Sequence, residues 1–434
     1  MDGISIHRLF FGDLMRLFGS FKFGETRSIA VLSPIALLTL AACGGGGGGG
    51  QSSGGGGSFS VGGNVIKGPL TNALVGLDYD GDGVVDSETV RTDSDGSYTL
   101  STSTSSYTVI AVTDDTSIDT ASGAVLSGVT LKAPKGALVV TPTTTLMEEG
   151  DITSAQVASV LGLPDGIDPL SFNPYAAGVD AAEALQVEKA FQQVVNVVTA
   201  FAASAEGAGA SEVDAFKAAL NSVVEVVKTK VANLTDVNAS VADKSLDLTN
   251  TADLSLIKTQ VTTEISTAVG VNTIAFNALA NDTVTAVENV NVKIETATDL
   301  TSDVSKNIFS TTQVLADQVK AAASAEVNSA GSGTISFINE SAVNSAARNK
   351  APSNISLTSN TISEAASSLI IGILSTTDSD QTSGVDFTYK IAAISGTDYN
   401  AFSINQATGE LSFKAQPDFE TKSTYNITVL STDD

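Results

Sequence analysis

The spacing of apolar residues changes twice along this 434-residue chain, and this change constrains the fold more than any other feature. From Phe59 onward, apolar residues alternate over short segments separated by Gly and Asp clusters, which indicates β-strands. Further along they recur every three or four residues, as in Val187, Phe191 and Val194, which indicates helices. After Gly333 the alternating pattern returns. The sequence therefore predicts a multidomain α+β protein, with a small β-sandwich at residues 59–142, a helical bundle at 143–330, a linker at 331–350 and a second β-sandwich, lacking its last strand, at 351–434.

The distribution of His and Cys excludes several kinds of site. His7 and Cys43 are the only residues of these types, so the chain beyond residue 43 has no imidazole and no thiol. Catalytic Ser-His or Cys-His arrangements and ordinary zinc or copper sites therefore cannot form there. Carboxylate and carbonyl oxygens remain, and these suit calcium, magnesium or manganese. The net charge of −26 also argues against nucleic acid as a partner, because an acidic surface repels phosphate backbones.

The first 58 residues have the pattern of an export signal followed by a tether. Basic residues precede an apolar run at 29–42, which is too short to span about 30 Å of hydrocarbon as a helix. The run ends in Leu40-Ala41-Ala42-Cys43, which resembles the lipobox of bacterial lipoproteins. This resemblance implies that residues 1–42 are a signal peptide and that Cys43 carries a lipid. The expected location is the cell envelope, at the outer membrane and outside the cytoplasm. Residues 43–58 would then be the lipidated Cys with a flexible Gly/Ser tether; a buried cysteine at a helix end is the alternative.

An acidic loop at residues 78–86 interrupts the first β region. It places four carboxylates at positions i, i+2, i+4 and i+8, namely Asp78, Asp80, Asp82 and Asp86. Gly83, at i+5, permits the sharp turn that brings later oxygens back over earlier ones. This spacing predicts a calcium site, although Thr89 stands where an EF-hand loop has its last acid. An acidic hairpin turn without an ion is the alternative.

The segments on either side of this loop, residues 65–70 and 92–98, resemble those of the prealbumin-like B modules of bacterial surface proteins. The resemblance covers about a fifth of the chain. It implies a stalk or spacer module, often with calcium, and no catalysis.

The helical middle shows apolar stripes typical of a core and no cofactor or substrate motif. Its paired acids, such as Glu148 and Glu149, would need a cleft to act as general acid and base.

The last β region predicts an immunoglobulin-like sandwich, because six short apolar segments alternate with polar turns. Six of its stretches resemble a cadherin-type repeat in the right order: Asn349-Lys350-Ala351-Pro352, Ile362-Ser363-Glu364, Thr377-Asp378-Ser379-Asp380, Ala407-Thr408-Gly409-Glu410-Leu411, Pro417-Asp418-Phe419-Glu420 and Ser431-Thr432-Asp433. The resemblance implies calcium at two domain junctions. The acids expected at the preceding junction are Asp378, Asp380 and Asp433, and those expected at the following one are Glu364, Asp418 and Glu420.

Two features depart from the cadherin pattern. Lys350 stands in a linker that is richer in acids in the family, so its ammonium would weaken the site at the preceding junction. The sequence also ends at Asp434, before the last strand of the sandwich. An incomplete reading frame is the expected reason, with a strand donated by a partner chain as the alternative. Solvated turns without ions are the alternative for each of these acids.

The sequence thus predicts a calcium-binding cell-surface lipoprotein, not an enzyme, that acts in cell adhesion or as a surface stalk. Its expected partners are the membrane, through the lipid, and other cell-surface proteins or polysaccharide. The rival function is a surface hydrolase or polysaccharide-binding protein with its site in the helical domain.

Overall fold

The computed structural model describes residues 7–11, 14–18, 58–266, 268, 270–348, 354–378, 387–392 and 397–432. Within these residues the chain contains both β-sheets and long helices, so the predicted multidomain α+β class is confirmed. None of the helices in this described part is long and apolar enough to cross a membrane.

The first two strands, β1 (His7–Phe11) and β2 (Leu14–Phe18), form an antiparallel hairpin. The hairpin belongs to the segment predicted to be a signal peptide. Strand β2 also pairs with the strand Thr428–Thr432 of the C-terminal β region.

The N-terminal β module is built from nine short strands. They are β3 (Phe59–Val65), β4 (Leu70–Thr71), β5 (Leu74–Asp78), β6 (Val90–Arg91), β7 (Ser97–Thr102), β8 (Thr108–Val112), β9 (Ile118–Asp119), β10 (Thr130–Pro134) and β11 (Val139–Val140). They form sheets of order β10-β8-β5-β6 and β11-β3-β7, with β4 and β9 as a separate pair. In β7, alternate residues Tyr98, Leu100 and Thr102 are buried, as expected for a strand with one face on a core. The pairings are antiparallel except that of β11 with β3.

The helical part follows directly. It comprises α1 (Pro142–Gly150), α2 (Ser154–Val160), α3 (Ala181–Gly207), α4 (Glu212–Asn233), α5 (Val241–Lys244), α6 (Thr251–Ser266), α7 (Thr273–Glu295), α8 (Asp303–Asn328) and α9 (Glu340–Ala346). Thr141 starts α1 with a capping box, and Pro142 fits the first turn, where its missing N–H is not needed. The long helix α3 packs against α4, α7 and α8. These contacts place the apolar stripes in one core.

The β module and the helices share their buried surfaces. Val195 of α3 packs in the core of the β module, and Ala121, just after β9, packs in the helical core. Helix α1 also lies against β10. Residues 59–330 therefore form two structural regions with a continuous apolar junction, and this junction positions α3 against β9.

Residues 331–350 were predicted to be a linker, but most of this segment packs on the helices. A 3-10 turn at Ser336–Ile338 and helix α9 lie within it, and Phe337 and Val343 are buried in the helical core. Gly331 lies in a turn, and Gly333 lies close against α8, where a Cβ would stand 2.6 Å from the carbonyl oxygen of Ala322. The physical reason is that Phe337 and Val343 are apolar and join the existing core.

The described residues of the C-terminal β region form six strands. They are β12 (Asn354–Leu357), β13 (Ile370–Thr377), β14 (Thr388–Ile391), β15 (Phe402–Ile404), β16 (Glu410–Phe413) and β17 (Thr428–Thr432). One sheet has the order β12-β13-β16-β15, and β14 pairs with β17 in the other. Phe402, Phe413 and Tyr425 pack together in the core, with the two Phe ring centroids 4.5 Å apart. Two sheets thus enclose a shared apolar core.

Candidate metal sites

The first candidate site is the loop that follows β5. Asp78, the last residue of this strand, is only 3% exposed. Its carboxylate accepts backbone N–H groups from Asp80 at 3.2 Å, Gly81 at 2.7 Å and Gly83 at 2.9 Å. The loop is therefore wrapped around one carboxylate.

Two glycines make this wrapping possible. Gly81 and Gly83 have φ values of 81° and 86°, in the left-handed region that residues with a side chain rarely adopt. The carboxylates between and beside them accept local N–H groups: Asp80 from Asp82 at 3.2 Å, and Asp82 from Val84 at 2.8 Å. The sequence Asp-Gly-Asp-Gly thus folds as consecutive turns stabilised by aspartate side chains.

Three of the four predicted ligands come together in this loop. Asp78, Asp80 and Asp82 each offer one carboxylate oxygen, and these oxygens lie within 4.8 Å of one another. Calcium–oxygen bonds are about 2.3–2.6 Å, so two ligands of one ion stand at most about 5 Å apart. The spacing therefore fits one calcium ion.

Asp86 does not belong to this group. Its carboxylate accepts the N–H of Tyr79 at 2.7 Å, and its own N–H donates to the carbonyl of Leu77 at 2.9 Å. Asp86 therefore holds the two ends of the loop together, next to the ligands.

The second candidate site lies on the C-terminal sandwich. Glu364 precedes β13, and Asp418 and Glu420 lie between β16 and β17. Oxygens of these three exposed carboxylates again lie within 4.8 Å of one another. All three are the ligands that the sequence assigned to the following junction.

Local hydrogen bonds hold this second group in place. Glu364 accepts the backbone N–H of Phe419 at 2.9 Å, which connects the two loops. Asp418 accepts the N–H and the hydroxyl of Thr421 at 3.0 and 2.8 Å, and these bonds hold the pKa of Asp418 below its ordinary value. These bonds favour the ionised form of Asp418, which is the form that binds a cation.

The remaining predicted residues divide between described and undescribed parts of the chain. Asp378 directly follows β13 and is half-buried. Asp380, Asp433 and Cys43 lie outside the described residues, as does the tether apart from its last residue. The site at the preceding junction and the lipid attachment therefore stay predictions.

The acids considered for hydrolysis have separate partners. Glu148 accepts the hydroxyl of Thr108 at 2.5 Å, whereas Glu149 forms an ion pair with Lys132 at 2.6 Å. Glu149 lies in a groove of about 1000 Å³ between the acidic loop and α4, where Asp114 is paired with Arg91 at 2.6 Å. The alternative of a surface hydrolase stays a prediction.

One known family model matches the chain, and the match lies in the C-terminal β region, which carries the second candidate site. The cadherin domain model matches residues 358–434. The C-terminal region is a cadherin-like repeat. No curated protein and no solved structure matches the chain. The match places Glu364, Asp378, Asp418 and Glu420 within the cadherin-like repeat and indicates a cell-surface, adhesion-type module. The resemblances to a lipobox and to a prealbumin-like B module remain predictions.

Proposed function

We propose that the protein is a lipid-anchored cell-surface adhesion or stalk protein whose two β regions bind calcium, and that it has no catalytic role. The observation that carries this proposal is the cluster of Glu364, Asp418 and Glu420 inside the cadherin-like repeat. Cys43 would attach the chain to the outer membrane, and the Gly/Ser tether would separate the folded regions from it.

Calcium would act by relieving repulsion between carboxylates. Three ionised groups within 4.8 Å repel one another, and a divalent ion replaces this repulsion with attraction. The loops that carry the ligands would then become more rigid. In the repeat, the ion would connect the loop before β13 with the loop before β17, which otherwise meet mainly through Glu364, Phe419 and Gln416.

The partner of such a surface would be another cell-surface protein or an extracellular polysaccharide. Removal of residues 1–42, as the lipobox resemblance implies, would also remove β2 from the edge of β17. An edge strand of this kind is open to pairing with another chain.

The test is a thermal unfolding experiment on the chain with calcium and with a chelator. We expect calcium to raise the unfolding temperature of the C-terminal repeat, and Glu420→Gln to reduce that increase. Glu410→Gln is the matched control, because Glu410 lies on β16 in the same repeat and outside the carboxylate cluster. Unfolding temperatures that are equal with and without calcium would refute the calcium claim.

A cell-binding assay separates adhesion from a purely structural role. Beads that carry the mature chain should aggregate, or bind cells, in calcium and should disperse in chelator. Aggregation that is unaffected by the chelator and by Glu420→Gln would contradict the proposed role of the cluster.

A further inference from the structure

The loop between α4 and α5 carries a sequence motif that neither candidate metal site uses. It reads Asp236-Val237-Asn238-Ala239-Ser240. An Asn followed two residues later by Ser or Thr, with no Pro between them, is the acceptor motif for N-linked glycans on secreted proteins. The extended motif of bacterial N-glycan transferases also has an acid two residues before the asparagine, and Asp236 stands at that position.

The short form of the motif is not selective in this chain. Six Asn-X-Ser/Thr triplets occur, and they begin at Asn233, Asn238, Asn281, Asn339, Asn354 and Asn426. Only Asn238 has an acid two residues before it. The residues at that position in the other triplets are Val231, Leu279, Phe337, Pro352 and Thr424. The extended motif therefore selects one triplet, and the accessibility of that triplet is a separate observation.

The structure exposes the selected segment. Asp236, Val237, Asn238 and Ser240 are all exposed, and Val237 is 92% exposed. Almost nothing in the described part of the chain covers Val237, so the loop projects from the helices into solvent. A large enzyme can reach such a loop without unfolding the core.

Local hydrogen bonds fix the turn that carries the asparagine. Asp236 Oδ1 accepts the backbone N–H of Asn238 at 2.8 Å, and the carbonyl of Asp236 accepts the N–H of Ala239 at 3.3 Å. These bonds occupy the main chain of Asn238 and Ala239. Within the described residues, the side-chain amide of Asn238 has no hydrogen-bond partner. The Asn238 amide and the Asp236 carboxylate are therefore both accessible on one turn.

The segment can also change its conformation without disturbing the core. Helix α5 has four residues, and none of them is buried. Ser240 is its N-cap, and the Ser240 hydroxyl donates to Asp243 Oδ2 at 2.7 Å on the surface. An enzyme that binds residues 236–240 can open this short turn and take the Ser240 hydroxyl as its own hydrogen-bond partner.

The other five triplets lie within regular secondary structure, at its ends or against a buried residue. Asn233 is the last residue of α4, and its Nδ2 donates to the carbonyl of Asp243 at 3.1 Å. The triplet at Asn426 ends in Thr428, which is 0% exposed. The remaining three lie inside α7, at the N-cap of α9 and in β12, at Asn281, Asn339 and Asn354. Among the six triplets, only the one at Asn238 combines the acid with an exposed loop.

We propose that Asn238 is an acceptor site for an N-linked glycan, attached by a bacterial-type oligosaccharyltransferase. The donor is an oligosaccharide joined to a polyprenyl diphosphate. Asn238 Nδ2 forms a bond to C1 of the first sugar while the bond between C1 and the diphosphate oxygen breaks. The lipid diphosphate leaves with the bonding electrons, and Nδ2 gives one proton to a carboxylate of the transferase. This transfer takes place outside the cytoplasm, so in cells it rests on the proposed export of the chain.

A reaction in solution followed by tryptic digestion and mass spectrometry tests the proposal. The purified full chain is incubated with a purified bacterial oligosaccharyltransferase and a polyprenyl diphosphate oligosaccharide of known mass. Trypsin cuts after Lys230 and Lys244, so one peptide, residues 231–244, contains both Asn233 and Asn238. We expect the mass of this peptide to increase by one oligosaccharide, and fragmentation of the peptide to place the sugar on Asn238. A synthetic acceptor peptide in the same tube verifies that the enzyme is active.

Three variants separate the parts of the motif. Asn238→Gln should abolish the modification. Asp236→Asn keeps an oxygen that can accept the Asn238 N–H but removes the negative charge. It should lower the rate of transfer by about tenfold or more, because a hydrogen bond to a charged group is lost in the complex with the enzyme. Asn233→Gln is the matched control on the same peptide, and it should leave the transfer unchanged.

Two results would overturn the inference. The first is an unmodified peptide 231–244 in a reaction that glycosylates the synthetic acceptor. The second is transfer to Asn233 in place of Asn238. Circular dichroism spectra of the variants distinguish a loss of structure from a loss of the acceptor. Because the reaction in solution needs neither export nor calcium, its failure is distinguishable from failure of the proposed lipid anchor and metal sites.

Discussion

Replacement of Asp78 by Asn tests how far the acidic loop depends on its buried carboxylate. Asp78 accepts three backbone N–H groups with both oxygens, at 2.7–3.2 Å. An Asn side chain has one oxygen and one NH₂ group, so only one side of the amide can accept. Depending on its orientation, the NH₂ group would face either the N–H of Gly83 or the N–H groups of Asp80 and Gly81, and these would lose their acceptor. Loss of a hydrogen bond to a charged group and an unsatisfied N–H together cost about 2–4 kcal/mol. We expect this loss in the free energy of unfolding without calcium, and no stabilisation by calcium.

Asp82→Asn is the matched control for the energetic part. Asp82 is exposed and accepts a single N–H, from Val84 at 2.8 Å, which an Asn carbonyl can also accept. Its unfolding free energy without calcium should change by less than about 0.5 kcal/mol. The loss of one ligand charge should still weaken the response to calcium. At a free calcium concentration ten times the dissociation constant, the unmodified loop gains about 1.4 kcal/mol.

The assay is hydrogen exchange of the loop amides, measured with calcium and with chelator in the three proteins. Exchange of individual segments is needed because the chain has several domains and a single unfolding transition is not expected. Two outcomes would refute this reasoning. Equal protection of the Gly81 and Gly83 amides in Asp78→Asn and in the unmodified chain would mean that the carboxylate does not hold the loop. A full calcium response in Asp82→Asn would mean that Asp82 is not a ligand.

Four further predictions concern other parts of the chain. Gly207→Ala should lower the unfolding free energy by about 1–3 kcal/mol in denaturant titrations, because a Cβ there would lie 2.3 Å from the carbonyl oxygen of Lys320 and would separate α3 from α8. Thr141→Ala removes the capping box of α1 and should cost about 1 kcal/mol in the same measurement. Burial raises the pKa of Glu188 to about 8, so the folded chain keeps a proton that the unfolded chain loses at about pH 4.5. The free energy of unfolding should therefore fall as the pH rises from about 4.5 to 8. The variant Glu188→Gln should show a weaker dependence on pH. Cys43→Ser should move the protein from the membrane fraction to the soluble fraction and abolish acyl labelling; unchanged fractionation would contradict the lipid anchor.

The sequence pattern was sufficient for the local features of the acidic loop. Alternation of apolar residues predicts β3, β5 and β7 because one face of each strand is buried. Asp78, Asp80 and Asp82 come together because residues two apart in a Gly-rich loop remain close whatever the rest of the fold does.

Spacing was insufficient where the direction of a side chain or a distant contact decides the outcome. Asp86 has the right position in the sequence, but the loop has already turned back there, and its carboxylate binds the Tyr79 amide instead. Residues 331–350 looked like a linker because of two glycines, whereas the burial of Phe337 depends on the position of the helices around it. The spacing of apolar residues along the sequence does not show which helices will surround Phe337.

The cluster of Lys67, Asp119 and Glu188 is the extreme case of the same limit. Lys67 and Asp119 are 52 positions apart, and Gln192, which connects Asp119 with Glu188, lies 73 positions beyond Asp119. Only the junction of α3 with the β module brings these residues together and removes water from them.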